Sequence, residues 1–347
     1  MKKLVVLAVG IVMASFGAAL SQPAEPVPVT ADNFSRAETD VTMAAYVKMG
    51  ALGKLLHAPE LASIDDQKIV RLNRDTLYSF GVFDLDAGPV TLTLPDAGPR
   101  YMMAQVIDQD HYTHDIVYAP GSKTYSRDMI GTRYMIILMR TLADPQSDDD
   151  LKQARALQHA TAVRQSSPGE FEIPNWDAAS QSRVRDALRT LGSTLKNTER
   201  MFGSRAETDP VHHLIGAAVG WGGNPGSVAI YLIGVPKNND GTEVQKLTVK
   251  DVPVDGFWSI SVYNAHGFFE KNARNAYSIN NLTARPDQDG AVSVQFGGCD
   301  GTTPNCIPIT PGWNYTVRLY RPRRELVDGS WKFPEPELVD NRESKVK

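Results

Sequence analysis

The hydrophobic and polar positions change rhythm several times along the chain, and the changes divide it. From Ala37 to Leu56, Ala, Met, Tyr, Val and Leu recur at near-helical spacing, which predicts one amphipathic helix. Between Ile69 and Thr141 short apolar runs take over: Val82–Leu85, Val90–Leu94, Tyr101–Ile107 and Tyr134–Met139. Gly-Pro, Asp-Ala-Gly and Pro-Gly-Ser separate them, the rhythm of a β-sandwich or barrel. Ser147, followed by Asp148, Asp149 and Asp150, predicts the capped start of a helix running to about Arg164. A second helix is predicted from Asp177 to Phe202, with Val184, Leu188, Leu191 and Leu195 along one face and Gly203 as its stop. Strands return after about Asp209: Ala229–Ile233, Lys246–Val249, Trp258–Tyr263, Ala291–Phe296 and Tyr315–Tyr320. Trp258–Tyr263 alternates cleanly, sending Trp258, Ile260 and Val262 to one face and Ser259, Ser261 and Tyr263 to the other.

The expectation is a mainly β chain with α elements: two β-sandwich, jelly-roll-like domains joined by a helical segment. A leader at 22–36 precedes an N-terminal domain at 37–146, a helical connection at 147–208 and a C-terminal domain at 209–340. The length of 347 residues suits two domains. Lys and Arg number 36 against 40 Asp and Glu, for a net charge of −4. That balance leaves no broad basic surface, so no nucleic-acid partner is expected.

The amino terminus reads as an address. Lys2 and Lys3 precede an apolar run from Leu4 to Phe16, and small residues lead to Ser21. This is the pattern of a secretory signal peptide cut after Ser21, giving a periplasmic or secreted protein. The run falls short of the ~20 apolar residues that cross a bilayer, and no lipid-attachment cysteine follows, so no stable membrane anchor is expected. Export changes the meaning of the cysteines. Cys299 and Cys306 enclose the turn-rich segment Asp300–Asn305, and in an oxidising compartment they are expected to close into a disulfide. A loop so short is worth roughly 2–3 kcal/mol by chain entropy. A redox pair would more usually have Cys-x-x-Cys spacing.

Asn73-Arg74-Asp75-Thr76-Leu77-Tyr78-Ser79 and Gly81–Leu85 resemble the signature of domain-of-unknown-function family 1254, and Tyr101–Asp108 is similar to its next strand. Pro253 and Phe257–Asn264, with Asn272, Tyr277, Ser278, Asp289 and Gly290, resemble family 1214, as does Arg318–Pro322. The resemblance covers most of the chain after residue 21. It implies two β-sandwich-like domains with helical elements between and around them, and it implies no activity. Where that family pattern has Asn-Trp-Leu-Pro, this chain has Asn305-Cys306-Ile307-Pro308.

Several clusters carry candidate chemistry. Arg74 can clamp a carboxylate or phosphate through its fork, and Asp75 can serve as a base; the same residues can equally form a turn entering a strand. Asp108 to Asp115 holds two His and three Asp. As a continuous strand it places Asp108, Asp110, Tyr112 and His114 on one face, with His111 on the other. That leaves too few ligands on one face for a favoured divalent-metal site, and no cofactor is expected. Ser259, Ser261 and Tyr263 suit a cleft wall or a solvated face. Asn264, Asn272 and Tyr277 belong to a polar, amide-rich stretch that can border a site or cap turns.

Two functions follow. One is a hydrolase or lyase for a small anionic or carbohydrate-like compound at an interdomain cleft. Arg74, Asp75, Asp108 and His111 would be catalytic, and Asn73, Tyr78, Tyr263, Asn264, Asn272 and Tyr277 would bind the ligand. The other is a non-catalytic module binding a ligand or an envelope partner in the same cleft. A homo-oligomeric assembly is a third, weaker expectation.

Overall fold

The computed structural model describes residues 25–67, 70–195 and 197–339. The expected signal peptide, residues 1–21, lies outside them. The chain is mainly β. Its strands are β1 (Leu56–His57), β2 (Thr76–Asp84), β3 (Val90–Leu94), β4 (Met102–Asp108), β5 (Thr113–Tyr118), β6 (Gly121–Tyr125), β7 (Tyr134–Leu142) and β8 (Ala162–Arg164) in the first half. The second half adds β9 (Ala229–Gly234), β10 (Gln245–Val249), β11 (Trp258–Tyr263), β12 (Ser278–Asn280), β13 (Val292–Phe296), β14 (Cys306–Ile307), β15 (Asn314–Tyr320) and β16 (Glu337–Leu338). The helices are α1 (Phe34–Lys48), α2 (Arg127–Ile130), α3 (Asp148–Ala160), α4 (Ala178–Gly192), α5 (Pro210–Val219) and α6 (Arg324–Val327).

In the first half a five-stranded sheet of order β1-β2-β7-β4-β5 faces a three-stranded sheet of order β6-β3-β8. Alternation along β2, β4 and β7 aims Phe83, Ala104, Val106, Ile137 and Met139 at Val90 and Leu92 of β3, and these side chains share one core. In the second half, sheets β12-β11-β15-β9 and β14-β13-β10-β16 share another. Trp258, Ile260 and Val262 point into it as their alternation predicts, beside Val317, Leu319, Val294 and Phe296.

Three helix boundaries differ from the hydrophobic pattern: the helix expected from Asp177 to Phe202 stops at Gly192, and pairing explains the other two. The first helix ends at Lys48 because the chain turns through Gly50 and Gly53, both at positive φ, to run beside β2; Ala51 O and Gly53 N bond to Val82. The helix capped by Ser147 ends at Ala160 because Ala162–Arg164 leaves it to pair with β3, Val163 opposite Leu92. The stretch 147–208 is therefore more than a helical connection. It supplies β8 to the first half, while α4 packs with α1 and α5 through Phe34, Ala37, Leu188 and Ile215. Met43 of α1 lies against Val82, Ile107 and Ile136, on the back of the five-stranded sheet.

The rest of that back face meets the second half. Ser259, Ser261, Thr316, Arg318 and Tyr320, on the faces of β11 and β15 away from their own core, are all buried. The polar face of the second half is thus an internal wall rather than a solvated surface.

Candidate functional site

Between the halves lies a polar interior built from strand residues whose neighbours are apolar. On β7 the run Tyr134–Leu142 is buried throughout and contains one cation, Arg140. Pairing sets Arg140 opposite Tyr78 of β2 on one side and Met103 of β4 on the other. Its guanidinium lies 5.6 Å from the centroid of the Tyr78 ring. It donates to Gln105 Oε1 and Asn224 Oδ1, each at 3.0 Å, and to Gly222 O at 2.8 Å. Each of those acceptors is neutral. No carboxylate among the described residues lies within ion-pair distance of Arg140.

Tyrosines surround it. Tyr78, Tyr101, Tyr231 and Tyr320 lie around the guanidinium. Tyr231 OH accepts from Asn224 Nδ2 at 2.8 Å. Tyr78 OH and Tyr320 OH each accept from Asn73 Nδ2 at 3.3 Å. These bonds use the oxygen and leave the O–H proton without an acceptor among the described residues. Tyr101 OH is buried with no partner. Tyr320 is fully buried, and desolvation holds its hydroxyl well above the usual phenol range, so it remains a donor. Arg140 keeps 6% of its surface exposed, and Tyr78 and Tyr231 are half-buried, so this end of the interior is not sealed.

The other end holds Asp75 and Arg318. Asn73 Oδ1 accepts from Asp75 N at 2.9 Å, an Asx turn that aims Asp75 inward just before β2. Asn280 Nδ2, from the second half, donates to Asp75 Oδ1 at 3.2 Å. Ser259 lies against the same carboxyl without the alignment of a full hydrogen bond. Burial raises the Asp75 carboxyl above the ordinary Asp value, and Arg318, Ser259, Asn280 and Arg74 only partly oppose this. Arg318 donates to Arg71 O and to Tyr263 OH, both at 2.7 Å, and to Ser261 Oγ at 2.9 Å. Tyr263 OH in turn donates to Leu72 O at 2.9 Å. Residues 71–75 are thus pinned across the face of β11 and β15.

The four expected catalytic residues do not converge. Thr76, next to Asp75, pairs with Leu142 of β7, whereas Asp108 pairs with Met135. Those positions are seven residues apart on one strand, about 23 Å at the usual rise. Arg74 turns from the interior, donating to Ala62 O and lying 5.7 Å from the centroid of the Tyr277 ring. Asp108 does not begin a continuous strand. The chain reverses through residues 109–112, with His111 at φ 72°, so the expected alternation of Asp108, Asp110, Tyr112 and His114 does not hold. His111 is buried beside Trp221, and its Nε2 accepts from Gly222 N at 2.8 Å. Burial, then His213, pushes its imidazole down to about 3, which leaves it neutral and a poor proton acceptor near pH 7.

Among the expected binding residues, Asn73, Tyr78 and Tyr263 belong to the interior. Asn264 and Asn272 do not. Asn264 Oδ1 caps His266 N and Phe268 N, and Asn272 Oδ1 caps Arg274 N and Ala276 N. With Tyr277 they line a cavity of only about 30 Å³, room for roughly one water. Cys299 and Cys306 form the expected disulfide, Cα atoms 5.6 Å apart. The sequence reading missed Arg140, Arg318, Tyr231 and Tyr320. The available signal was a lone Arg inside an otherwise apolar strand, since charge is almost never buried without a reason.

A mainly β chain with a polar interior between two halves is the class that these features define. Residues 52–128 match the family described as protein of unknown function (DUF1254), and residues 236–324 match the one described as protein of unknown function (DUF1214), so the chain combines a region of each. The crystal structure of a protein from Vibrio parahaemolyticus superposes with a TM-score of 0.65 at 16% identity, over 90% of this chain and 100% of that one. An uncharacterized protein from Burkholderia cenocepacia gives 0.49 at 15% identity, over 88% and 87%. The Vibrio likeness shows a shared fold. No curated protein matches the chain.

Proposed function

We propose that the chain binds a small organic anion between its two halves, with Arg140 as the clamp. One observation carries this reading: the interior around Arg140 is rich in donors and poor in acceptors. A buried guanidinium with only neutral partners, ringed by hydroxyls that lack acceptors, favours a carboxylate or phosphate over a neutral or cationic guest. Of the two substrate classes expected, this geometry favours the anionic one.

Asp75 supports the hydrolase or lyase reading. Its raised carboxyl holds a proton to higher pH than an ordinary Asp, which suits a general acid. The alternative is a binding module in which Asp75 only helps to join the halves. Asp75→Asn separates the two: an enzyme keeps binding and loses turnover, whereas a module has no turnover to lose. We also propose that the protein works outside the cytoplasm after removal of residues 1–21, which the amino-terminal pattern and the Cys299–Cys306 disulfide support. Sequencing the amino terminus of the protein recovered from a secreting host checks this; an intact Met1 argues against it.

The binding test is thermal denaturation against small carboxylates, phosphates and phosphonates, with Arg140→Gln and Tyr231→Phe alongside. A ligand at 100 times its Kd adds about 2.7 kcal/mol. The expected result is a stabilising anion whose effect disappears in Arg140→Gln and weakens in Tyr231→Phe. Equal stabilisation of all three proteins sinks the reading, as does a panel without effect.

A further inference from the structure

At the far end of the five-stranded sheet lies an open cavity of about 300 Å³, lined by Asp108, Asp110, His114, Thr132, Ser204 and Arg205 among others. We propose that it is a second binding site, independent of the interior, for a neutral, hydroxyl-rich compound of about monosaccharide size.

The chain builds this place with care. A register shift between Val106 and Ile107 bends the end of β4. Asp108 Oδ1 then accepts the N–H groups of Asp110 and Tyr112, at 2.8 and 2.9 Å, which tightens the reversal. Its other oxygen, Oδ2, accepts from His114 Nε2 at 2.8 Å. A carboxylate held by backbone amides therefore fixes the imidazole. With Nε2 bonded to Asp108, His114 has Nδ1 left over for a ligand, and no described residue bonds to that atom.

Charge decides the class of ligand. Asp108 accepts hydrogen bonds from two backbone N–H groups and the His114 ring. Asp110 is paired with Arg36 at 2.8 Å and approached by Arg205 at 4.0 Å. Arg205 also covers the Tyr112 ring at 4.3 Å, while the other face of that ring stacks on His213. Asp110 thus has opposite charges beside it, and the oxygens of Asp108 are already spent on hydrogen bonds. An ionic ligand would find no free counter-charge, unlike an anion at Arg140. The unused capacity is for hydrogen bonds: Nδ1 of His114, the Ser204 hydroxyl and the outer N–H groups of Arg205. Several hydroxyls on one small neutral molecule match that set, and the volume lies at the low end of ligand cavities.

The test uses the full chain with ¹⁵N-labelled histidine. D-glucose, D-galactose, D-mannose and N-acetylglucosamine are titrated in turn while the His114 nitrogens are followed, with sodium acetate as the charged control. The expected result is a saturable shift of His114 Nδ1 with at least one sugar and none with acetate. Ser204→Phe, which fills the cavity, abolishes the shift. Should that variant fail to fold, His114→Gln read by calorimetry is expected to bind the same sugar at least tenfold more weakly. The proposal is overturned if no sugar gives a saturable shift, if acetate shifts His114 equally, or if binding survives in the variants.

Discussion

Asn280 donates a hydrogen bond to Asp75 at 3.2 Å, joining residues 205 positions apart and both fully buried between the halves. The carboxyl comes from the turn before β2 and the amide from β12. Neither half could hold Asp75 in this state alone: the first half supplies the acid, and the second supplies Asn280, Ser259 and Arg318 around it.

Asp75 makes stability depend on pH in a definite direction. Burial raises its carboxyl above the ordinary Asp value of about 4, so the folded state keeps the proton longer than the unfolded chain does. The stabilisation is complete below that value and is lost as pH rises through the folded one. Asp75→Asn removes the titration. The variant is expected to gain on the wild type by about 1 kcal/mol or more as pH rises from 3 to 7. Urea denaturation of both proteins across that range checks it. A constant difference refutes the assignment.

Arg318 tests whether the halves fold as one. Its guanidinium serves Arg71 O, Ser261 Oγ and Tyr263 OH. Arg318→Ala strands those buried groups, each worth about 1–3 kcal/mol. The expected loss is several kcal/mol, and scanning calorimetry is expected to resolve two transitions where the wild type gives one. A single transition with little loss would mean that this bridge contributes little to holding the halves together.

The strands were legible because apolar runs between turn formers announce themselves. Val90–Leu94 and Trp258–Tyr263 match the observed bounds, and Ser147 and Asp177 cap the helices that follow them. Pairing was less legible. Nothing local says that Ala162–Arg164 leaves a helix to join β3, because the partner lies some seventy positions earlier. The site was half legible for a similar reason. Asn73, Asp75 and Tyr78 stand in one polar cluster, but Arg140 and Arg318 come from other strands and become neighbours of that cluster only when the sheets stack. His111 and Asp108 misled because their ligand-like composition builds a tight turn instead.

The disulfide offers a simple measurement. Cys299 and Cys306 close a loop beside β13 and β14, next to the core of the second half. Replacing both by Ser frees the unfolded chain, at a cost of roughly 2–3 kcal/mol for a loop this short. The same loss is expected when the wild type is denatured with a reductant present, and none when the double variant is. A reductant effect on the double variant would place it elsewhere than in this bond.

Asp84 gives the opposite pH dependence to Asp75. At the end of β2 it takes two hydrogen bonds from Arg133, from Nε at 3.0 Å and from the guanidinium NH2 at 2.9 Å. Backbone N–H groups of Asp86 and Glu170 add two more, each at 3.1 Å. Burial alone would raise this carboxyl, but Arg133 and those amides outweigh it and hold it below the usual Asp value. The folded state therefore favours the ionised form. That contribution is present above about 4, the ordinary Asp value, and is lost as pH falls through the lowered folded one. Asp84→Asn is expected to destabilise at pH 7 by about 1–3 kcal/mol, since a buried group keeps its place but loses its charge-assisted bonds. As pH falls through the folded value the wild type itself takes up the proton, and the difference should shrink towards zero. Arg133→Ala should act in the same direction and largely fail to add to Asp84→Asn, because both remove one pair. Urea denaturation of the four proteins at pH 7 and pH 2 decides it: additive losses, or a difference that persists in acid, would show that the pair does not govern Asp84.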